Sequence, residues 1–114
     1  MDTIEPPRVV FESAAECADR ERAEDRLRQA LAQARAKGWV VTVRIQPAAL
    51  PAVSAEGEIT DETGARRAHQ VTSGTVADCA GVASALGVWA SAVLASEAQG
   101  APAAAAAAPG QTGT

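Results

Sequence analysis

Hydrophobic positions along this 114-residue chain follow a helical period in two segments, with shorter alternating runs before and between them. In the first segment, residues 13–38, apolar side chains recur at helical spacing opposite a strongly charged face. Ser13 with Glu16 three residues later forms a capping-box pattern, and Gly38 supplies a C-terminal stop. The pattern predicts a helix over this segment, with one face on a sheet and the other in water.

Strand patterns lie on both sides of this helix. A β-branched run at residues 6–12 predicts an edge strand, with prolines at its start where a missing N–H costs nothing. Residues 39–47 alternate between two faces and predict a half-buried strand that Pro47 ends. Residues 48–57 are interrupted by proline and small residues, and the pattern predicts a loop there.

A β-hairpin is predicted in residues 58–74. Its strands would be residues 59–60 and 66–72, joined by a turn with the sequence DETG. Gly64 ends that turn and can take a positive φ. The hairpin places a third and a fourth strand before the second helical segment.

The second helical segment, residues 76–96, is the least polar part of the chain. Thr75 as N-cap and Asp78 three residues later mark its start. Because a helix that is apolar all round must be buried on more than one side, we expect a bulky row to cover the sheet and a small row to receive a second copy of the chain. The bulky row is Cys79, Val82, Leu86, Trp89 and Val93, and the predicted self-association row is Ala77, Gly81, Ala85, Val88 and Ala92.

These elements predict an α+β domain in the order β-α-β-β-β-α, with two helices packed on one face of a small antiparallel sheet. Residues 1–12 form an N-terminal segment with the candidate edge strand, and residues 13–97 form the domain. Residues 98–114 are predicted to be a flexible Ala/Pro/Gly-rich tail, because prolines interrupt its alanine run. A domain this small stands near the limit of what one core can stabilise, so a homodimer is expected to supply buried area.

Composition narrows the function classes. With a net charge of −4, the chain lacks the basic face that nucleic-acid binding needs. Phe11, Trp39 and Trp89 are its only aromatic residues, so stacking platforms and aromatic pockets are poorly supplied. No phosphate-binding glycine loop, nucleophile elbow or carboxylate dyad occurs. We therefore expect no cofactor and no enzymatic activity.

The N-terminal sequence predicts the compartment, and the compartment predicts the state of the two cysteines. The N-terminus is acidic and proline-containing where a signal peptide would be basic and apolar, so we expect a cytoplasmic protein, in a cell or inside a phage particle. Cytoplasmic thiols are kept reduced, so Cys17 and Cys79 are expected to be free and packed in the core. An enzyme interpretation would rest on Cys79 and His69, but nothing in their spacing selects them as a catalytic pair. One histidine and two separated cysteines also do not give the spacing of a structural zinc site, so no metal is expected.

Two basic groups are candidate surfaces for a partner. Arg66, Arg67 and His69 lie in the second hairpin strand, and strict alternation would send Arg67 and His69 to one face and Arg66 to the other. Arg22 and Arg26 lie on the solvated face of the first helix. The strand group could hold a phosphate or an acidic partner, although solvated charge that protects a sheet edge is the simpler interpretation. The helix group could dock a larger protein, although a solvated face with i,i+4 ion pairs is the simpler interpretation there.

The sequence thus favours a small non-catalytic protein-interaction module that self-associates through its last helix and binds an unidentified larger protein. One alternative is a structural or accessory protein of a phage or prophage, because the alanine- and arginine-rich composition suggests a GC-rich genome. The other is a small membrane-associated protein that uses residues 76–96. The uncharged run between Asp78 and Glu97 approaches the ~20 residues that span a bilayer. Alanine, serine and glycine contribute little insertion energy, so a membrane is not an expected partner.

Overall fold

Four strands and two helices follow one another along residues 5–98, the part of the chain that the computed structural model describes. Their order is β-α-β-β-β-α, so the predicted α+β class and element order are confirmed. The predicted tail, residues 98–114, lies outside the described residues apart from Ala98. The elements are β1 (Arg8–Glu12), α1 (Arg20–Leu31), β2 (Val40–Pro47), β3 (Ala52–Thr60), β4 (Arg66–Thr75) and α2 (Cys79–Ala98), with a 3-10 turn at Val76–Asp78 before α2.

The strands form one sheet in the order β1-β2-β3-β4. The β2–β3 and β3–β4 pairs are antiparallel, but β1 runs parallel to β2, with Arg8 opposite Val40. The sheet is therefore mixed, and the prediction of an antiparallel sheet is wrong for its first strand. The reason is the connection, because α1 returns the chain to the end of the sheet where β1 starts.

The third strand is longer than the hairpin pattern predicts, because residues 52–57 belong to it and not to a loop. Two of its buried positions, Ala55 and Gly57, carry small side chains or none. A Cβ at Gly57 would lie 2.9 Å from a ring carbon of Trp89 and 3.3 Å from Leu86. The small residues therefore form the floor on which α2 packs. The predicted turn after β3 is confirmed, and Gly64 takes a φ of +87°.

Helix α1 is shorter than predicted at both ends. It begins at Arg20, so Ser13 and Glu16 do not form a capping box, and it ends at Leu31 and not at Gly38. The residues before it form turns instead. A covalent link to α2 holds these turns in place.

Cys17 and Cys79 form a disulfide, with their Cα atoms 6.0 Å apart. The expectation of two free thiols is therefore wrong. Both side chains are buried, and the bond joins the turn before α1 to the first turn of α2. Beside it, the Asp19 carboxylate accepts a hydrogen bond from the Ala80 N–H at 3.0 Å. These two links hold residues 13–19 against α2, which is why the segment does not extend α1.

Both helices cover one face of the sheet, because only one face of β2 and β3 is buried. The opposite face, the open face of the sheet, carries mostly polar and charged side chains. The two helices also meet closely at Gly87, where an added Cβ would lie 2.7 Å from the Cβ of Ala30. The core contains the largest fully buried side chains, which include Leu27, Leu31, Val41, Val43, Ile45, Val53, Ile59 and Leu86.

Candidate functional site

Helix α2 turns its bulky side chains toward the core. Cys79, Val82 and Leu86 are buried there, and Trp89 and Val93 are partly buried against the same core. The ring of Trp89 lies on β3, because the glycine of that strand leaves room for it. The opposite side of α2 therefore faces away from the sheet and from α1.

The residues predicted to mediate self-association lie on this outward side. Val88 is 63% exposed, Gly81 is partly exposed, and Ala77 is exposed in the 3-10 turn before the helix. The chain has no charged residue between Asp78 and Glu97, so the surface is uncharged along nearly the whole helix. We call the following residues the outer face of α2: Gly81, Ala85, Val88, Ala92 and Ala95.

Two carboxylates cap the start of α2. Asp78 accepts a hydrogen bond from the Gly81 N–H at 3.0 Å, and Asp19 accepts one from the Ala80 N–H. Thr75, the predicted N-cap, makes no side-chain cap hydrogen bond. Both carboxylates lie where the helix dipole favours negative charge. A Cβ at Gly81 would run into the Asp78 carboxylate, so Gly81 serves the cap as well as the outer face.

The free edge of β4 lies beside α2. Strand β4 ends the sheet, and no other strand of residues 5–98 pairs with its second side. The Val76 N–H donates to the Pro51 carbonyl, two residues beyond the Val53–Gly74 pair. Because backbone groups of an antiparallel strand alternate between its two sides, the N–H and C=O groups of every second residue point to the free edge. Those residues are His69, Val71, Ser73 and Thr75.

A shallow groove of about 390 Å³ separates this edge from the outer face of α2. Thr72 and Gly74 line it from β4, and Gly81 and Ala85 line it from the helix. Gly74 lies directly beneath Val82, and a Cβ there would collide with the valine. The glycine lets α2 lie close to the last strand, so the sheet edge and the helix form one continuous surface.

The basic group at the start of β4 is paired within the chain. Arg66 binds Glu58 at 3.2 Å, and His69 binds Glu56, both on the open face of the sheet. The hydrogen bond from His69, helped by the charges of His69, Arg44 and Arg66, lowers the pKa of Glu56. A partner that used Arg66 or His69 would have to displace these carboxylates.

Arg67 points toward α2, so the predicted grouping of Arg67 with His69, apart from Arg66, is wrong. Its guanidinium pairs with Glu97 at 2.9 Å and lies 5.7 Å from the centre of the Trp39 ring. The reason is a shift in the β3–β4 register at the end of β3, because a bulge breaks strict alternation. Arg67 thus joins the hairpin to the last helix.

Asp61 organises the turn that leads into β4. Its carboxylate accepts hydrogen bonds from the Thr63 N–H at 2.9 Å, the Thr63 hydroxyl at 2.6 Å and the Ala65 N–H at 3.1 Å. The Thr63 hydroxyl contributes most to lowering the pKa of Asp61 below its ordinary value of 3.8. The ionised carboxylate therefore stabilises the start of β4.

Replacing Asp61 with alanine should lower the midpoint of thermal unfolding at pH 7 by several degrees, because three donors of the turn lose their acceptor. The pKa of Asp61 is depressed in the fold, so its stabilisation is present above 3.8 and lost as the pH falls through the folded-state value. Circular dichroism melts should thus show a smaller difference between parent and variant at pH 3 than at pH 7. Glu62→Ala, at an exposed neighbour, is the control, and an equal difference at both pH values would contradict this role.

The remaining partner candidates, Arg22 and Arg26, are exposed on α1. They lie on a different element from the outer face of α2 and from the basic group of β4. The structure therefore does not bring the predicted site residues together into one site. It gives an uncharged surface on α2 and the second half of β4, a paired basic group at the start of β4, and a separate charged surface on α1.

Val76–Glu97 is long and apolar enough to cross a membrane by length and composition. The core helix of a soluble protein passes the same test, and α2 packs its bulky row on the sheet and on α1. The length and apolar composition on which the membrane alternative depends are therefore equally typical of a core helix.

Among residues 5–98, no group of three metal-ligating side chains lies close enough to hold an ion. No family model matches the chain, and no curated protein is significantly similar to it.

Proposed function

We propose that this protein is a small non-catalytic interaction module that self-associates through the outer face of α2 and binds a larger protein partner. The observation that supports the proposal is the outer face itself, which is uncharged and has Val88 63% exposed at its centre. Exposed apolar patches on small domains mark interaction sites. The glycine and alanines beside Val88 also allow a second helix to approach closely, since the distance between packed helices depends on the side chains at the contact.

The composition of the core supports the same proposal. Several buried positions are alanine, so each contributes little apolar area, and a domain of this size has a small margin of stability. Burying the outer face of α2 against a copy of itself would add apolar contact without ordering any further segment. The gain would come from Val88 and its neighbours in both copies.

The larger partner is best supported on α1. Arg22 and Arg26 are exposed there, whereas Arg66, Arg67 and His69 have carboxylate partners. Nucleic acid and membrane are not proposed partners, because the net charge is −4 and acidic residues lie at both ends of the outer face. An accessory role in a phage would need only the same stable fold and the same surfaces.

Replacing Val88 with glutamate should convert the dimer to a monomer, because the apposed copies would bury two uncompensated charges. The fold should be retained, since the side chain is mostly exposed. Light scattering would measure the mass in solution, and circular dichroism would show whether the fold is retained. Ala92→Glu, on the outer face, and Ala32→Glu, an exposed alanine after α1, form a matched pair in which only the first should dissociate the dimer. Loss of the dimer in both, or in neither, would overturn the interface on α2.

A further inference from the structure

The accessible surface that includes the outer face of α2 extends beyond the helix. The groove between α2 and β4 continues it to the free edge of the sheet, with Gly81 and Ala85 on one side and Thr72 and Gly74 on the other. A copy of the chain that covers the helix therefore also meets the outward backbone groups of β4. Whether the free edge pairs with a strand of the second copy therefore determines how the two copies are arranged.

The two edges of the sheet differ in how they are protected. Strand β1 has five residues, follows Pro6 and Pro7, and is charged at both ends by Arg8 and Glu12. Strand β4 has ten residues, and its half from 71 to 75 contains no proline and no charge. Natural sheets protect free edges with short strands, prolines and charges. The second half of β4 lacks all three, which is typical of an edge that pairs with another strand.

We propose that a second copy pairs its β4 antiparallel with this β4, about a twofold axis at Val71. The inference rests on the proposed function and adds the geometry of the interface. The outward N–H and C=O of Val71 meet those of Val71 of the second copy, and those of His69 meet Ser73 of the second copy. The two four-stranded sheets then form one continuous sheet, with both α2 helices side by side on it.

The charges favour an antiparallel arrangement of the two strands. Strand β4 is basic at its start, with Arg66, Arg67 and His69, while the segment after it ends on Asp78. An antiparallel copy sets the basic start opposite the uncharged or acidic end. A parallel copy would set basic residues beside basic residues, which is unfavourable across a strand pair. An axis at Val71 also sets the Val71 side chain, which is 57% exposed, beside Val71 of the second copy and so reduces its exposure to solvent.

The area of the combined surface is sufficient for a specific dimer. Ten residues of β4 span about 33 Å at ~3.3 Å each. With a helix about 10 Å wide lying above the sheet edge, the strip is about 15 Å deep and covers roughly 500 Å² of each subunit. Two such strips reach the ~1,000 Å² in total that specific interfaces require. Neither the helix nor the strand provides this area alone.

Amide hydrogen exchange of the unmodified protein tests the pairing. The N–H groups of Val71 and Ser73 should exchange at least about tenfold more slowly in a concentrated sample than in a dilute one, because hydrogen bonding across the interface protects them. The Thr72 N–H, which points toward β3, should be protected in both samples. Fast exchange at Val71 and Ser73 in a sample whose mass is that of a dimer would overturn edge pairing and leave the interface on α2 intact.

A proline variant separates the two interfaces. Ser73→Pro removes an outward donor without removing a β3–β4 hydrogen bond, and Ser73→Thr is the matched control. The proline should weaken the dimer at least about tenfold, the size expected when two symmetric backbone hydrogen bonds are lost. If Val88→Glu dissociates the dimer and a folded Ser73→Pro does not, edge pairing is wrong and the proposed function stands. A parent protein that is monomeric at every concentration would overturn both.

Discussion

Replacing Cys17 and Cys79 together with alanine should lower the free energy of unfolding by about 2–4 kcal/mol. The bond joins positions 62 residues apart, and closing so long a loop removes much of the conformational entropy of the unfolded chain. It also holds residues 13–19 against the first turn of α2. Urea unfolding followed by circular dichroism would measure the loss.

The parent protein in a strong reductant is the matching control, and it should unfold at nearly the same urea concentration as the double variant. An unchanged midpoint in both would contradict a structural role for the bond. The bond also bears on the compartment, because disulfides persist mainly in oxidising environments. The cytoplasmic location stays a prediction that rests on the N-terminal sequence, and the disulfide does not favour it.

Replacing Gly87 with valine should lower the free energy of unfolding by about 2–3 kcal/mol. Even a single Cβ at this position would lie 2.7 Å from the Cβ of Ala30 and 3.4 Å from Leu27, so valine would force α1 away from α2. Ala32→Val, at an exposed position after α1, is the control and should change stability by less than about 0.5 kcal/mol. Equal losses from both substitutions would show that the helices do not meet at Gly87.

The last helix could be predicted from the sequence alone. Its bulky residues recur on one side at a helical period, and that period is a local property of the sequence. The same holds for β2, where alternating valines and Ile45 match the buried positions. Element order and helix placement follow from such patterns because each element needs one apolar side to pack.

Features that depend on distant residues could not be read from local pattern. The small residues of β3 resemble a loop until Trp89 is seen to occupy the space above Gly57. The start of α1 is set by the disulfide to α2, and a Cys pairing depends on tertiary structure. Arg67 points toward α2 because of a bulge that alternation does not reveal. In each case the deciding contact comes from another part of the chain.

One part of the candidate surface could be predicted from local pattern, and the other part could not. Periodicity was enough to select the small-residue row of α2, and Val88 and Ala92 are exposed in the structure. It could not show that β4 forms the free edge beside that row, because strand order depends on how the whole chain packs. The one signal in the sequence was the run from residue 71 to 75, which lacks the charge and proline that usually protect an edge.

The most direct test of self-association is the solution mass of the untagged protein, measured by light scattering over a series of concentrations. We expect a mass of twice the 11.5 kDa chain at high concentration, falling toward the chain mass on dilution. A mass of one chain throughout the series would contradict self-association, both on α2 and at the edge of β4.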